Sequence, residues 1–196
     1  MSLRPAKSAN FILEGIYELF AIDENGKNTR DEYELRIEVP KRFPNELPTV
    51  FETGRKISRS PDNHVNHDGS LCLGSPLRLK ALINKDSTLV GFTSNCIFPF
   101  LYAHSIGNFL FGELSHGLDG LIEDYKEMFN VPTRRQVVQS LTLCSLRRRV
   151  ANKRKCPCGC GRRLGVCAYR EKINNFRRIA PRSWFSAHIF YLESQV

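Results

Sequence analysis

Acidic side chains nearly vanish from the last third of the chain. Residues 133–196 carry two, Glu171 and Glu193, against 15 Lys and Arg, a net +13. Residues 1–132 carry 18 acids against 14 bases, a net −4, so the overall +9 belongs to one end. This asymmetry predicts two modules, a weakly acidic body over 1–132 and a basic tail over 133–196. Charge of either sign is missing from Ser87 to Gly112, a run of 26 residues. A spanning helix needs about 20 predominantly apolar residues. This run contains Thr88, Thr93, Ser94, Asn95, His104, Ser105 and Asn108, three glycines and Pro99. The expectation is a buried helical layer in a water-soluble domain, not a membrane span. No secretory signal is evident, because the first apolar stretch, Phe11 to Ile22, is interrupted by Glu14 and Glu18. Seven cysteines, an odd number, without such a signal point to reduced thiols in the cytoplasm. Internal repeats are lacking. With 25% charged and 41% hydrophobic residues, the composition excludes a fibrous protein or a long disordered tail.

What is present reads as strands first and helices later. Residues 11–22 alternate, with Phe11, Leu13, Tyr17, Leu19 and Ala21 on one side. Asn25-Gly26 is a hairpin turn signal. Residues 33–39 then place Tyr33, Leu35, Ile37 and Val39 opposite Glu34, Arg36 and Glu38. Pro40, Pro44 and Pro48 take the chain out of the sheet as an extended segment. Thr49-Val50-Phe51 offers a third strand, and 55–69 is a polar loop. Ser87 or Thr88 caps a helix through the uncharged run, restarted at Pro99. Gly117 to Phe129 is amphipathic, and Thr133 caps a further helix to about Val150. The predicted fold class is α+β with an antiparallel sheet packed on helices.

Two constellations carry chemistry. The first is Val39-Pro40-Lys41-Arg42-Phe43-Pro44-Asn45-Glu46-Leu47-Pro48-Thr49-Val50, followed by His64-Val65-Asn66 and Gly69-Ser70-Leu71-Cys72-Leu73. In this order the segments resemble the proline-rich turn, the His-Pro-Asn and the Gly-x-Ile-Cys-Leu signatures of ubiquitin-conjugating enzymes. The resemblance covers roughly residues 5–130 and implies a ubiquitin-conjugating-like β-meander. It also implies that Cys72 carries a protein C-terminus as a thioester. Thioester chemistry wants a thiolate nucleophile and a donor for the developing oxyanion. Asn66 is the residue type the family uses in that supporting role. It lies six residues before Cys72 where the family has eight, and His64 occupies the eighth position. Val65 replaces the family's Pro, and the Trp that commonly follows the family cysteine is missing, the one Trp being Trp184. His64 is a candidate base or orienting group because its unperturbed pKa lies near neutrality. His116 is a candidate from the far side of the site. A buried structural thiol is the competing account of Cys72, since free Cys is among the most buried residue types. Cys96 and Cys144 sit at helical core positions.

The second constellation is Cys156-Pro157-Cys158-Gly159-Cys160-Gly161 and Cys167, amid Lys and Arg. Close cysteines with glycines suit a structural zinc site, and basic neighbours stabilise thiolates. The run resembles the zinc-binding motif at the C-terminus of the bacterial secretion ATPase, which places a Cys or His directly after its third ligand. Ala168 stands there in this chain. Either Cys160 supplies the fourth ligand or the site is incomplete, and single-residue steps among three cysteines make closure by all four awkward.

The resemblance implies a bacterial cysteine acyltransferase of the kind found in antiphage operons of the cyclic-oligonucleotide (CBASS) type. Its protein substrate would be a cGAS-like nucleotidyltransferase or a ubiquitin-like protein, with a possible activating enzyme. The alternatives are an inactive binding module of the same fold and a zinc-dependent nucleic-acid-binding protein. Aromatics in the basic tail are few (Tyr169, Phe176, Trp184, Phe185), so base stacking is poorly supported and nucleic acid is not the expected partner.

Overall fold

The computed structural model describes residues 1–5, 11–107 and 117–194. They form two compact units, Met1–Glu113 and Leu114–Val196.

The first unit is built on a four-stranded antiparallel meander in the order β1 (Ser2–Pro5), β2 (Phe11–Ile22), β3 (Asn28–Val39) and β4 (Thr49–Glu52). Strands β2 and β3 pair along their whole length, from Phe11 opposite Val39 to Ile22 opposite Asn28. Between them Asp23 organises the turn, its carboxylate accepting from the N–H groups of Asn25 and Lys27 at 2.9 and 2.8 Å. Gly26 supplies the positive φ of 78° that the turn requires. Alternation places Tyr33, Leu35, Ile37 and Val39 inside, as the sequence predicts. Strand β1 was not foreseen, and β3 begins five residues before the predicted start at Tyr33.

The prolines do not lead into an extended segment. Residues 41–46 form a compact turn, with Phe43 N–H donating to Pro40 and Glu46 N–H to Arg42, both at 3.1 Å. Lys80 of α1 (Pro76–Ile83) donates to the Asn45 carbonyl at 2.7 Å and holds that turn in place. The signal for α1 lies in Ser75-Pro76, where Ser75 caps Arg78 N–H and Pro76 opens the first turn. It was overlooked.

Over its described part, to residue 107, the uncharged run folds as a helical layer. Thr88 caps α2 (Leu89–Phe92), accepting from Gly91 N–H at 2.9 Å. A π-type turn over Thr93–Ile97 leads into α3 (Phe98–Ser105), with Pro99 in its first turn. Thr93 and Asn95 donate to the carbonyls of Leu89 and Gly91 at 2.9 and 2.7 Å, satisfying acceptors where the helix is irregular. This layer buries Phe92, Cys96, Ile97, Phe100 and Leu101 against Leu19, Leu35, Ile37 and Val50 of the sheet. The Tyr33 hydroxyl donates to the Leu101 carbonyl at 3.2 Å and pins sheet to helix. No helix among the described residues is long and apolar enough to cross a membrane.

The second unit is helical: α4 (Gly117–Phe129), α5 (Arg134–Ser145), α6 (Arg148–Ala151), α7 (Tyr169–Ile179) and α8 (Arg182–Ser194). Thr133 caps α5 as expected, accepting from Gln136 N–H at 3.2 Å. The single helix expected to run to Val150 instead breaks after Ser145. There Arg177 donates to the carbonyls of Leu143 and Leu146 at 2.7 and 2.9 Å, satisfying the end of α5 from another helix. Helix α4 belongs to this unit rather than to the body, so the units part at 113/114 and not at 132/133. The reason is packing: Phe129 of α4 meets Phe176 of α7 with ring centroids 4.4 Å apart, and Tyr169 donates to the Phe129 carbonyl at 3.1 Å.

Candidate functional site

In the first unit the residues around Cys72 form a small hairpin pinned to the edge strand. Leu71 N–H donates to the Val50 carbonyl of β4 at 2.7 Å, and Cys72 N–H donates to the His64 carbonyl at 2.7 Å. Val65 pairs with Leu71, and Phe51 with Ser70. The turn between them is specified locally. Asp68 accepts from both the N–H and the hydroxyl of Ser70, at 2.9 and 2.6 Å, and Gly69 takes a φ of 84°. The Ser70 hydroxyl holds the Asp68 carboxyl below its ordinary range.

Asn66 donates through its side chain to the Ser70 hydroxyl at 2.9 Å, so it braces the turn that presents Cys72. His64 is buried and sits in left-handed backbone at φ 55°, closing the short turn Pro61–Asn63. Its carbonyl accepts from the Cys72 N–H, so its backbone is committed to the Cys72 strand. His116 lies outside the described residues. A histidine not singled out from sequence enters instead: His104 of α3 places Nε2 3.1 Å from the Asn63 carbonyl, beside His64. Burial lowers the His104 pKa, and the Asn63 carbonyl partly offsets this. Its one sequence signal is a titratable ring within an uncharged apolar helix.

Cys72 is half-buried, whereas Cys96 and Cys144 are 3% and 0% exposed. Burial pushes the Cys72 thiol up from its ordinary value, and the Gly74 N–H partly offsets this. The resting side chain is therefore a thiol that becomes a nucleophile on losing its proton.

In the second unit the four clustered cysteines come together. Lys155 pairs with Arg163 across a hairpin, and Cys156 N–H donates to the Arg162 carbonyl at 2.9 Å. Gly159 and Gly161 turn the chain at φ 85° and 73°. Fully buried Leu164 anchors the far arm, and Gln136 of α5 donates to the Pro157 carbonyl at 2.7 Å. The four sulfurs lie within 4.8 Å of one another, so the expected difficulty of closing on all four does not arise. Individual pairs are 3.2 Å (Cys156–Cys158), 3.6 Å (Cys158–Cys167) and 3.6 Å (Cys160–Cys167). Four thiolates at about 2.3 Å around a tetrahedral ion stand about 3.8 Å apart, so this set can hold a metal ion and is compatible with zinc. Cys156 and Cys167 are buried, Cys158 and Cys160 exposed. The Arg162 N–H draws the Cys160 thiol down to about 6, while burial raises Cys156 and Cys158. Cys160 is thus present as the fourth donor that the sequence left open.

Neither family models, nor curated proteins, nor solved structures give a match to this chain.

Proposed function

We propose that the chain is a cysteine acyltransferase of the ubiquitin-conjugating type, whose second unit is held together by structural zinc. The observation that carries this reading is the placement of Cys72. Of the three cysteines outside the cluster it alone reaches solvent, at the end of a braced hairpin on the sheet edge.

In the proposed reaction a protein C-terminus arrives as a thioester on a partner enzyme. The Cys72 sulfur attacks the carbonyl, the new C–S bond forms, and the partner's thiolate leaves with the proton that Cys72 gives up. Asn66 keeps the turn in shape, and backbone N–H groups near Cys72 would supply the donors for the oxyanion. A lysine amine then attacks, an amide forms, and Cys72 is released as thiol. The donor is the C-terminus of a cGAS-like nucleotidyltransferase or a ubiquitin-like protein, and the setting is bacterial antiphage defence in the cytoplasm. Zinc on Cys156, Cys158, Cys160 and Cys167 plays no part in the chemistry. Bound there, it would displace the thiol protons that the cluster still holds and fix the hairpin between α6 and α7.

A second reading, binding a protein tail without transfer, draws support from Asn66, whose side chain is engaged by Ser70. Intact mass spectrometry after co-expression with the genomic neighbours separates the two. A heavier species in wild type, absent from Cys72→Ala and lost with reductant, supports a thioester on Cys72. Unmodified protein in every sample leaves binding without transfer. Metal analysis of wild type beside Cys156→Ser tests zinc, and a wild type without bound zinc would refute that part.

A further inference from the structure

The eight cations between Arg147 and Arg163 are not used by the proposed reaction. They are Arg147, Arg148, Arg149, Lys153, Arg154, Lys155, Arg162 and Arg163, all exposed, and no acid interrupts the segment. They are carried on a built surface rather than a loose tail. Helix α6 leads into the cysteine hairpin, whose arms are joined by Leu164 N–H to Arg154 and Gly165 N–H to Asn152, at 2.9 and 3.0 Å. Ala151 and Leu164 are fully buried beneath it. Among the described residues none of the eight forms an ion pair.

Charge balance at the cysteines does not account for them. Four thiolates around a divalent ion leave about −2, and Arg162 already reaches Cys160. A surplus of about six cations remains, most of them arginines, whose planar fork suits phosphate. The segment exposes only two large apolar side chains besides, Val150 and, just beyond it, Val166. Protein interfaces are centred on apolar or aromatic anchors with charge at the rim. A surface of cations without such a centre fits a polyphosphate backbone better. The scarcity of aromatics argues against base stacking and leaves backbone contact unaffected.

We propose that α6 and the cysteine hairpin form a docking face for the phosphate backbone of nucleic acid, read without sequence preference. The face is independent of Cys72.

The test uses the full chain and two fluorescent probes of mixed sequence, a DNA duplex of about 20 base pairs and a single-stranded RNA of similar length, titrated by anisotropy. With about six phosphates engaged, affinity falls about a thousandfold between about 50 and about 200 mM salt. The triple variant Arg147→Gln, Arg148→Gln, Arg149→Gln makes the salt slope shallower by about 2 to 3, because each contact contributes about 0.9 on duplex and about 0.7 on single strands. The matching triple Arg147→Lys, Arg148→Lys, Arg149→Lys retains the slope, which separates lost charge from a damaged fold. A control triple on the same unit, Arg135→Gln, Arg178→Gln, Arg182→Gln, leaves it unchanged. Cys72→Ala binds like wild type, so failure here is distinct from failure of the transfer reading. Equal weakening by the two Gln triples would overturn the proposal, leaving only diffuse charge. No binding at about 50 mM salt would overturn it too, as would preference for polyglutamate over both probes, which would assign the face to an acidic protein.

Discussion

Thiol labelling under native conditions sorts the seven cysteines into three classes, and each class has a different physical cause. Cys72 is half-buried and should react. Cys96 and Cys144 are buried, and burial pushes their thiols up to about 11 and about 12 from an ordinary 9.0. Each pKa unit is tenfold in thiolate, the reactive form. Ionisation alone then slows Cys96 about 100-fold and Cys144 about 1000-fold relative to an ordinary thiol, before access is counted. The four cluster cysteines are shielded while they hold a metal and released when a chelator removes it. Maleimide treatment read by intact mass should therefore give one adduct on metal-loaded protein. Five should form after chelation and seven after unfolding. Because the Cys72 thiol is raised, its labelling rate should keep climbing tenfold per pH unit beyond the range where an exposed cysteine levels off. Zero native adducts would refute an accessible Cys72. Three, mapping to Cys72 and the exposed Cys158 and Cys160, would refute the bound metal.

Three further outcomes follow from the packing. Phe92→Ala removes a fully buried ring from the layer over the sheet and should destabilise the first unit by about 3–5 kcal/mol in chemical denaturation followed by circular dichroism. Thr133→Ala removes the α5 cap and should lower the melting temperature of the second unit by the equivalent of about 1 kcal/mol, with Thr133→Ser restoring it. His188 is buried, shares a 2.7 Å hydrogen bond with the Tyr125 hydroxyl, and has its pKa lowered to about 4 by burial. The unfolded chain binds this proton first, so stability of the second unit should be full above about pH 6.5 and fall as pH drops toward 4. Denaturation midpoints across that window, compared with His188→Gln, check it; equal pH dependence in both would exclude His188 as the source.

How much of this could be read from the sequence depends on how local each determinant is. Strand β2 shows both its ends in the letters because an apolar-rich run opens at Phe11 and meets a turn signal after Ile22. The first residues of β3, Asn28 to Glu32, show no alternation of apolar and polar side chains. They pair with the end of β2 where Phe20 and Ile22 are exposed, so no buried face marks them. The end of α5 was hidden for another reason: its capping group is Arg177, 31 residues beyond Leu146. The boundary between units followed the same logic. Composition records where charge changes sign, whereas the units are defined by packing, and α4 has its apolar face against its own helical neighbours.

The two cysteine sites show the same divide within single motifs. Cys72 and its hairpin are legible because Asp68, Gly69 and Ser70 specify the turn within a few residues. The brace from His104 to Asn63 spans 41 residues and leaves no trace in local spacing. At the cluster, the ligands were legible but their closure was not. Residues two apart in an extended strand lie about 6.6 Å apart on one side, too far for three sulfurs to share an ion. Gly159 and Gly161 remove that obstacle, because positive φ folds the chain back at each step. The glycines are therefore as much a part of the candidate metal site as the sulfurs. Gly159→Ala and Gly161→Ala meet open space and so cause no clash, leaving backbone strain as their sole penalty. If the closure argument is right, both should weaken metal binding in a competitive chelator titration while leaving the four sulfurs intact. An unchanged affinity would mean that the hairpin hydrogen bonds, not the glycines, draw the cysteines together.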